Sequence, residues 1–140
     1  MEQLKLENQL CFPFYSLSRL IIRRYQPFLN ELGITYPQYL VLLVLWENDQ
    51  QPVNNIAKKL YLQTNTITPL LQRLEGMNIV RREKSTEDER KVLISLTPKG
   101  EALKSKAAEI PIRLMEGINI SPEELIQLRD QLQKLIRLLH

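Results

Sequence analysis

Only one side chain in this sequence carries a thiol, and Cys11 stands between Leu10 and Phe12 near the amino terminus. A lone cysteine is either a small buried hydrophobe or, where a helix N-terminus, a cation or hydrogen-bond donors favour the thiolate, a reactive sulfur. Five tyrosines are available as donors, although spacing alone brings none of them to Cys11. One cysteine excludes an internal disulfide framework and any multi-cysteine zinc site. The single histidine, His140, removes most catalytic triads and histidine-based metal centres. Four glycines without a GxGxxG or GxxxxGK segment leave no phosphate loop. No metal, no cofactor and no enzymatic activity are therefore expected.

A second set of residues suits a different chemistry. In Thr64-Asn65-Thr66-Ile67-Thr68-Pro69-Leu70-Leu71-Gln72-Arg73 the apolar members face one way, and Thr64, Asn65, Thr66, Thr68 and Pro69 crowd the first turns opposite. Short donors and acceptors near a helix start can meet base edges and phosphates, while Gln72 and Arg73 reach farther. An ordinary solvated helix start has the same composition, because Thr and Asn favour caps. The next stretch of chain tips the balance. Ile79–Lys84 and Val92–Leu96 read as two strands, and Ser85–Lys91 between them is an exposed loop. Lys84, Asp88, Arg90 and Lys91 supply this loop with charge, and arginine on a thin β-loop can enter a minor groove. Glu87, Asp88 and Glu89 fit a solvated turn equally well, unless Asp88 pairs with Arg90 or another cation and holds the loop in shape.

The elements that would position these residues are mostly helical. Leu10, Phe14, Leu17, Ile21, Tyr25, Phe28 and Leu32 recur at three- and four-residue steps, with Gly33 as a stop. Pro13 begins this helix near Phe12 or kinks one begun near Glu7, and Pro27 must bend or interrupt it. Thr35-Tyr36-Pro37 caps a second helix running to about Asn48, apolar on nearly every side and so central. Asp49–Pro52 ends it. A short helix from Asn54 to about Tyr61 and another after Leu62-Gln63-Thr64 form a helix-turn-helix, and the strands make it winged. Thr97-Pro98 restarts a helix that Pro111 should bend. Ser121-Pro122-Glu123-Glu124 is a capping box for a last helix with Leu125, Leu128, Leu132, Leu135 and Leu139 on one stripe. That stripe packs within the chain or forms a seam between two chains; a terminal helix of this length favours the seam.

Composition agrees without deciding. The 140 residues suit a single domain with a real core, and the net charge of +3 permits a nucleic-acid partner. No apolar run nears the roughly 18 residues of a membrane span, and the start MEQLKLENQ lacks a signal-peptide core. A cytoplasmic location with no membrane contact is expected.

Four segments carry a resemblance: Leu6-Glu7-Asn8-Gln9-Leu10-Cys11-Phe12; LGITYPQYLVLLVLW over Leu32–Trp46; Thr66-Ile67-Thr68-Pro69-Leu70-Leu71; and Asp88-Glu89-Arg90. Together they resemble the MarR family of regulators, and within it the organic hydroperoxide resistance regulators of one-cysteine type. The resemblance implies a mainly α (α+β) winged helix-turn-helix fold across 1–140. Segments 1–34 and 98–140 would supply dimerisation helices, and 35–97 the DNA-binding region. It also implies a homodimeric repressor on a pseudo-palindromic double-stranded operator, with Cys11 as the peroxide-reactive thiolate and Tyr25 and Tyr36 donating to it from the partner subunit. Tyr15 and Tyr39 rank lower. Organic hydroperoxide would be the oxidant. The resulting charge and volume change at Cys11 would shift the dimer helices and release DNA. A low-molecular-weight thiol or another protein would have to resolve the sulfenate, since no second cysteine exists. Pro13, and Gln63-Thr64-Asn65 where relatives commonly carry Asp-Ser-Gly, depart from the family pattern. A regulator of the same fold gated by a small molecule, with Cys11 incidental, is the competing reading.

Overall fold

Two short 3-10 turns, Glu2–Leu4 and Leu6–Asn8, lead into α1 (Phe12–Leu32) in a computed structural model that describes all residues from Met1 to His140. After α1 come α2 (Tyr36–Glu47), β1 (Gln51–Pro52), α3 (Val53–Lys59), α4 (Thr64–Gly76), β2 (Val80–Lys84), β3 (Val92–Leu96), α5 (Pro98–Ala107), α6 (Ile110–Leu114) and α7 (Pro122–Leu139). The chain is thus mainly helical with a small sheet, as expected.

Helix α2 is the centre. The Thr35 side chain accepts from the Gln38 backbone N–H at 3.4 Å, and the Gln38 side chain accepts from the Thr35 N–H at 2.9 Å, so both ends of the capping box close. Tyr39, Val41, Leu42, Val44 and Leu45 are all buried, which is what an all-round apolar helix requires. Leu29, Ile56, Ile67, Leu71, Leu74, Ile79 and Ile94 pack around it in one core.

The sheet is antiparallel in the order β1-β3-β2, with Val80 opposite Leu96 and Lys84 opposite Val92. Strand β1, which pairs Gln51 with Ile94 and Pro52 with Leu93, was not expected. Two residues are too few to show a period, and proline is tolerated because β1 is an edge. Asp49 secures the corner before it: one carboxylate oxygen accepts from the Leu96 N–H at 2.9 Å and the Gln50 N–H at 2.8 Å.

Several boundaries differ from expectation. Helix α1 starts at Phe12 with Pro13 in its first turn, which decides between the two placements and leaves Leu10 outside. Pro27 lies inside a continuous helix, at the cost of the bond that the Arg23 carbonyl would have accepted. The buried residue of α1 is Leu29, off the expected stripe; Phe14, Leu17 and Ile21 remain exposed. Only the carboxyl-terminal half of α1 lies on the core, with Tyr25, Phe28 and Leu32 packed against it. Helix α3 ends before Tyr61, whose φ is +55°. The single bent helix expected after Thr97 is two helices, parted at Ala108–Glu109, with Pro111 opening the second. Gly33 at φ +71° and the Ser121–Glu124 capping box terminate and start their helices as expected. No single helix is long and apolar enough to cross a membrane.

Candidate functional site

The polar set on α4 stands on a firmly packed helix. Ile67, Leu71 and Leu74 are fully buried, and Leu70 packs against the core more loosely. Thr64, Asn65, Thr66, Pro69, Gln72 and Arg73 are exposed along the opposite face. Thr64 is the first residue of the helix rather than its cap. Thr68 is half-buried, and its hydroxyl donates to the Thr64 carbonyl at 2.8 Å, so that hydroxyl is already engaged. Pro69 lacks the N–H that the Asn65 carbonyl would otherwise receive, leaving a backbone acceptor free beside the exposed Asn65 side chain.

The loop between β2 and β3 has an internal frame. The Ser85 N–H donates to Lys91 O and the Lys91 N–H to Asp88 O, both at 2.9 Å. Ser85 Oγ accepts from the Glu87 and Asp88 N–H groups at 3.3 and 3.4 Å. Asp88 Oδ1 accepts from the Arg90 N–H at 3.1 Å and lies 3.5 Å from Arg90 Nε. The pairing left open by the sequence is therefore present. Asp88 folds the tip, while the Arg90 guanidinium, Lys84 and Lys91 project outward. A groove of about 230 Å³ between loop base and α3 gathers Arg82, Arg90 and Lys91 beside Asn54. Arg82 belongs to no motif in the sequence; its alternation with Lys84 along β2 was the available signal.

Cys11 is exposed, one residue before α1, and its side chain caps nothing. Leu10, Phe12 and Phe14 around it are exposed as well. Three of the tyrosines sit elsewhere in the same chain, on the core. Tyr25 of α1 packs on Tyr36 and Tyr39 of α2, with ring centroids 4.9 and 5.7 Å away, and Tyr36 and Tyr39 are 6.2 Å apart. Tyr25 and Tyr36 are thus brought together as a pair, joined by Tyr39, which ranked lower. Tyr15 is set apart, its ring beneath the Arg19 guanidinium. Burial, then the neighbouring Tyr36 and Tyr39, pushes the Tyr25 phenol up to about 12. Burial raises Tyr36, and burial followed by Tyr36 raises Tyr39. All three therefore keep their protons through neutral pH and act as donors.

The surroundings brace this cluster. Arg24 donates to the carbonyls of Leu114 and Glu116, fastening α1 to the end of α6. Arg113 lies over the Phe28 ring at 4.7 Å and 3.5 Å from Glu31. Trp46, 6.4 Å edge-on from Tyr39, donates from Nε1 to the Gly100 carbonyl at 3.1 Å. No group of histidine, cysteine or carboxylate side chains is arranged to hold a metal ion.

Comparison with known proteins places this geometry. A family model described as transcriptional regulator SarA/Rot matches residues 23–107. The organic hydroperoxide resistance transcriptional regulator of Bacillus subtilis is 47% identical over 139 residues, covering 99% of this chain and 95% of that protein. Among solved structures, reduced AbfR bound to DNA is 40% identical with a TM-score of 0.84, covering 100% of this chain and 99% of the other. Overoxidised AbfR bound to DNA is 39% identical with a TM-score of 0.82, covering 99% and 98%. AbfR has been solved from Staphylococcus epidermidis. With a winged helix-turn-helix, an amino-terminal LENQLCF cysteine and the TYPQY phenols all in order, the chain belongs to the MarR family of transcriptional regulators, in the branch of the organic hydroperoxide resistance regulators.

Proposed function

We propose that this protein is a homodimeric repressor that binds a pseudo-palindromic operator and releases it when Cys11 is oxidised by an organic hydroperoxide. The observation that carries this reading is the separation of sulfur and phenols within one chain. Cys11 is exposed among apolar side chains, while Tyr25 and Tyr36 are clustered on the core as protonated donors. A second copy that buries the apolar amino-terminal segment would bring the two together.

The reader is α4, with Thr64, Asn65, Thr66, Pro69, Gln72 and Arg73 toward the major groove and Thr68 as a brace. Arg90, Lys84 and Lys91 of the wing meet phosphates and the minor groove, and Asp88 shapes the tip. Two such readers related by a two-fold axis call for half-sites about 34 Å apart.

At the sulfur, the thiolate attacks the distal oxygen of ROOH. An S–O bond forms, the O–O bond breaks, and the alcohol ROH leaves with a proton from the medium. The sulfenic acid then condenses with a low-molecular-weight thiol, giving a mixed disulfide and water. That overoxidised AbfR is found on DNA favours a mixed disulfide, rather than added oxygen alone, as the releasing species in this chain. The bulk attached to sulfur displaces the amino-terminal segment from the phenols of the other subunit and spreads the readers, a shift between two populations.

Operator binding measured before and after one equivalent of cumene hydroperoxide, with and without a small thiol, and with intact mass recorded, tests the scheme. Release accompanied by the mass of a mixed disulfide is expected. Peroxide-driven release by Cys11→Ser protein overturns it.

A further inference from the structure

Tyr39 is the most deeply buried of the three clustered phenols, 3% exposed, yet its hydroxyl is neither satisfied nor sealed. No acceptor in the chain takes its proton, and no enclosed side-chain oxygen lacks a partner, so the hydroxyl lies on the small part of Tyr39 that reaches the surface. Buried tyrosines ordinarily place their O–H on an acceptor. A packed ring whose hydroxyl opens outward is free to donate to an acceptor from outside the chain.

The ring cannot swing away to find another partner. Tyr36 and Tyr39 are three residues apart on α2 and so share a face. Tyr39 contacts Tyr25 and Tyr36 on one side and Trp46 on the other, and Trp46 is itself tied to Gly100. Each ionisable oxygen also feels its neighbours: Tyr25 is raised by Tyr36 and Tyr39, and Tyr39 by Tyr36. The three rings therefore form one cluster across α1 and α2.

We propose that Tyr39 is a third hydrogen-bond donor to the partner's Cys11 sulfur, completing with Tyr25 and Tyr36 a three-phenol cradle that favours the thiolate. This rests on the assignment of Tyr25 and Tyr36 made above. A thiolate accepts several hydrogen bonds, and each donor to the charged form adds to the thiolate fraction at neutral pH.

The test measures Cys11 alkylation by iodoacetamide and oxidation by cumene hydroperoxide in the full-length dimer across pH 6–10, for Tyr39→Phe, Tyr25→Phe, Tyr36→Phe and Tyr15→Phe. Removing the Tyr39 hydroxyl is expected to slow alkylation about threefold at pH 7, with the difference shrinking as the pH is raised. Tyr15→Phe should match the parent. A parental profile for Tyr39→Phe, with Tyr25→Phe and Tyr36→Phe both slowed, overturns the third donor alone. Parental profiles for all three overturn the phenol assignment with it. A Tyr39→Phe rate lowered equally at every pH, or loss of its cooperative melt, assigns Tyr39 to packing and likewise overturns the proposal.

Discussion

At the scale of single residues, the molecule separates groups that hold shape from groups left free to meet a partner. Asp88 belongs to the first kind. Its contact with Arg90 is solvent-exposed, and such ion pairs contribute about 0–1 kcal/mol, but the same oxygen also receives the Arg90 N–H. Asp88→Asn keeps that acceptor and is expected to weaken operator binding only about twofold to fivefold. Asp88→Ala removes it and should weaken binding further; equal affinities for both variants and the parent in fluorescence anisotropy would remove Asp88 from the wing's frame. The phenols make a pH prediction. Unfolded tyrosine ionises near 10, whereas folded Tyr25 does so at about 12. Above pH 10 the unfolded chain releases a proton that the folded chain retains, so the stability present below pH 10 is lost progressively between 10 and 12. Denaturation at pH 9 and pH 11.5 should show this loss, and it should be smaller in Tyr25→Phe. Much of this scale was legible: Cys11, Tyr25, Tyr36 and the α4 face stand out by residue type and motif. Arg82 does not, and Tyr39, though within the same motif as Tyr36, ranked lower, because their surroundings depend on neighbours distant in sequence.

Among the elements, the tightest joint lies where the sheet hands over to α5. Thr97 caps that helix by accepting the Gly100 N–H at 3.1 Å, while its hydroxyl lies 2.7 Å from the Asn78 carbonyl. A Cβ on Gly100 would meet the Ile79 carbonyl oxygen at 2.2 Å, so backbone must move if anything larger than glycine stands there. Gly100→Ala is expected to lose about 2 kcal/mol or more by overpacking, read from urea midpoints, with Trp46 fluorescence altered because Trp46 donates to Gly100. Ser121→Ala, by comparison, removes an exposed cap worth about 1 kcal/mol. The contrast arises from burial: the Gly100 joint joins α2, β2 and α5, whereas Ser121 serves only α7. Capping signals at Thr35, Thr97 and Ser121 are local and were readable. The close approach at Gly100 is not, since nothing near it in sequence announces the Ile79 carbonyl.

For the whole molecule, the exposed apolar surface is sharply segregated. Apart from Leu43 and Tyr61, every exposed large hydrophobic residue lies between Met1 and Ile22 or between Ile112 and Leu139, and no residue of α7 is fully buried within its own chain. Exposed apolar side chains in that number mark an interaction face, and we propose that they form the dimer seam, within the segments 1–34 and 98–140. Replacing Leu128 and Leu135 together by Asp should give a monomer in sedimentation equilibrium that keeps the core of α2 and melts cooperatively. The same protein should bind the operator at least tenfold more weakly, since one reader then acts without the other. Persistence of a dimer would move the interface elsewhere. Binding should also fall steeply with salt, because phosphate contacts release counterions.

The sequence by itself determined most of the helices, the caps at Thr35, Thr97 and Ser121, the winged order and the identity of the thiol, because these arise from periodicity, end-residue chemistry and a motif only a few residues long. Tertiary structure alone decided that three phenols gather while the sulfur stays outside, that α1 packs through Leu29 rather than its full apolar stripe, and that a two-residue edge strand completes the sheet. Each of these depends on which distant segments share space, and burial and hydrogen-bond satisfaction settle that only after the chain has closed on itself.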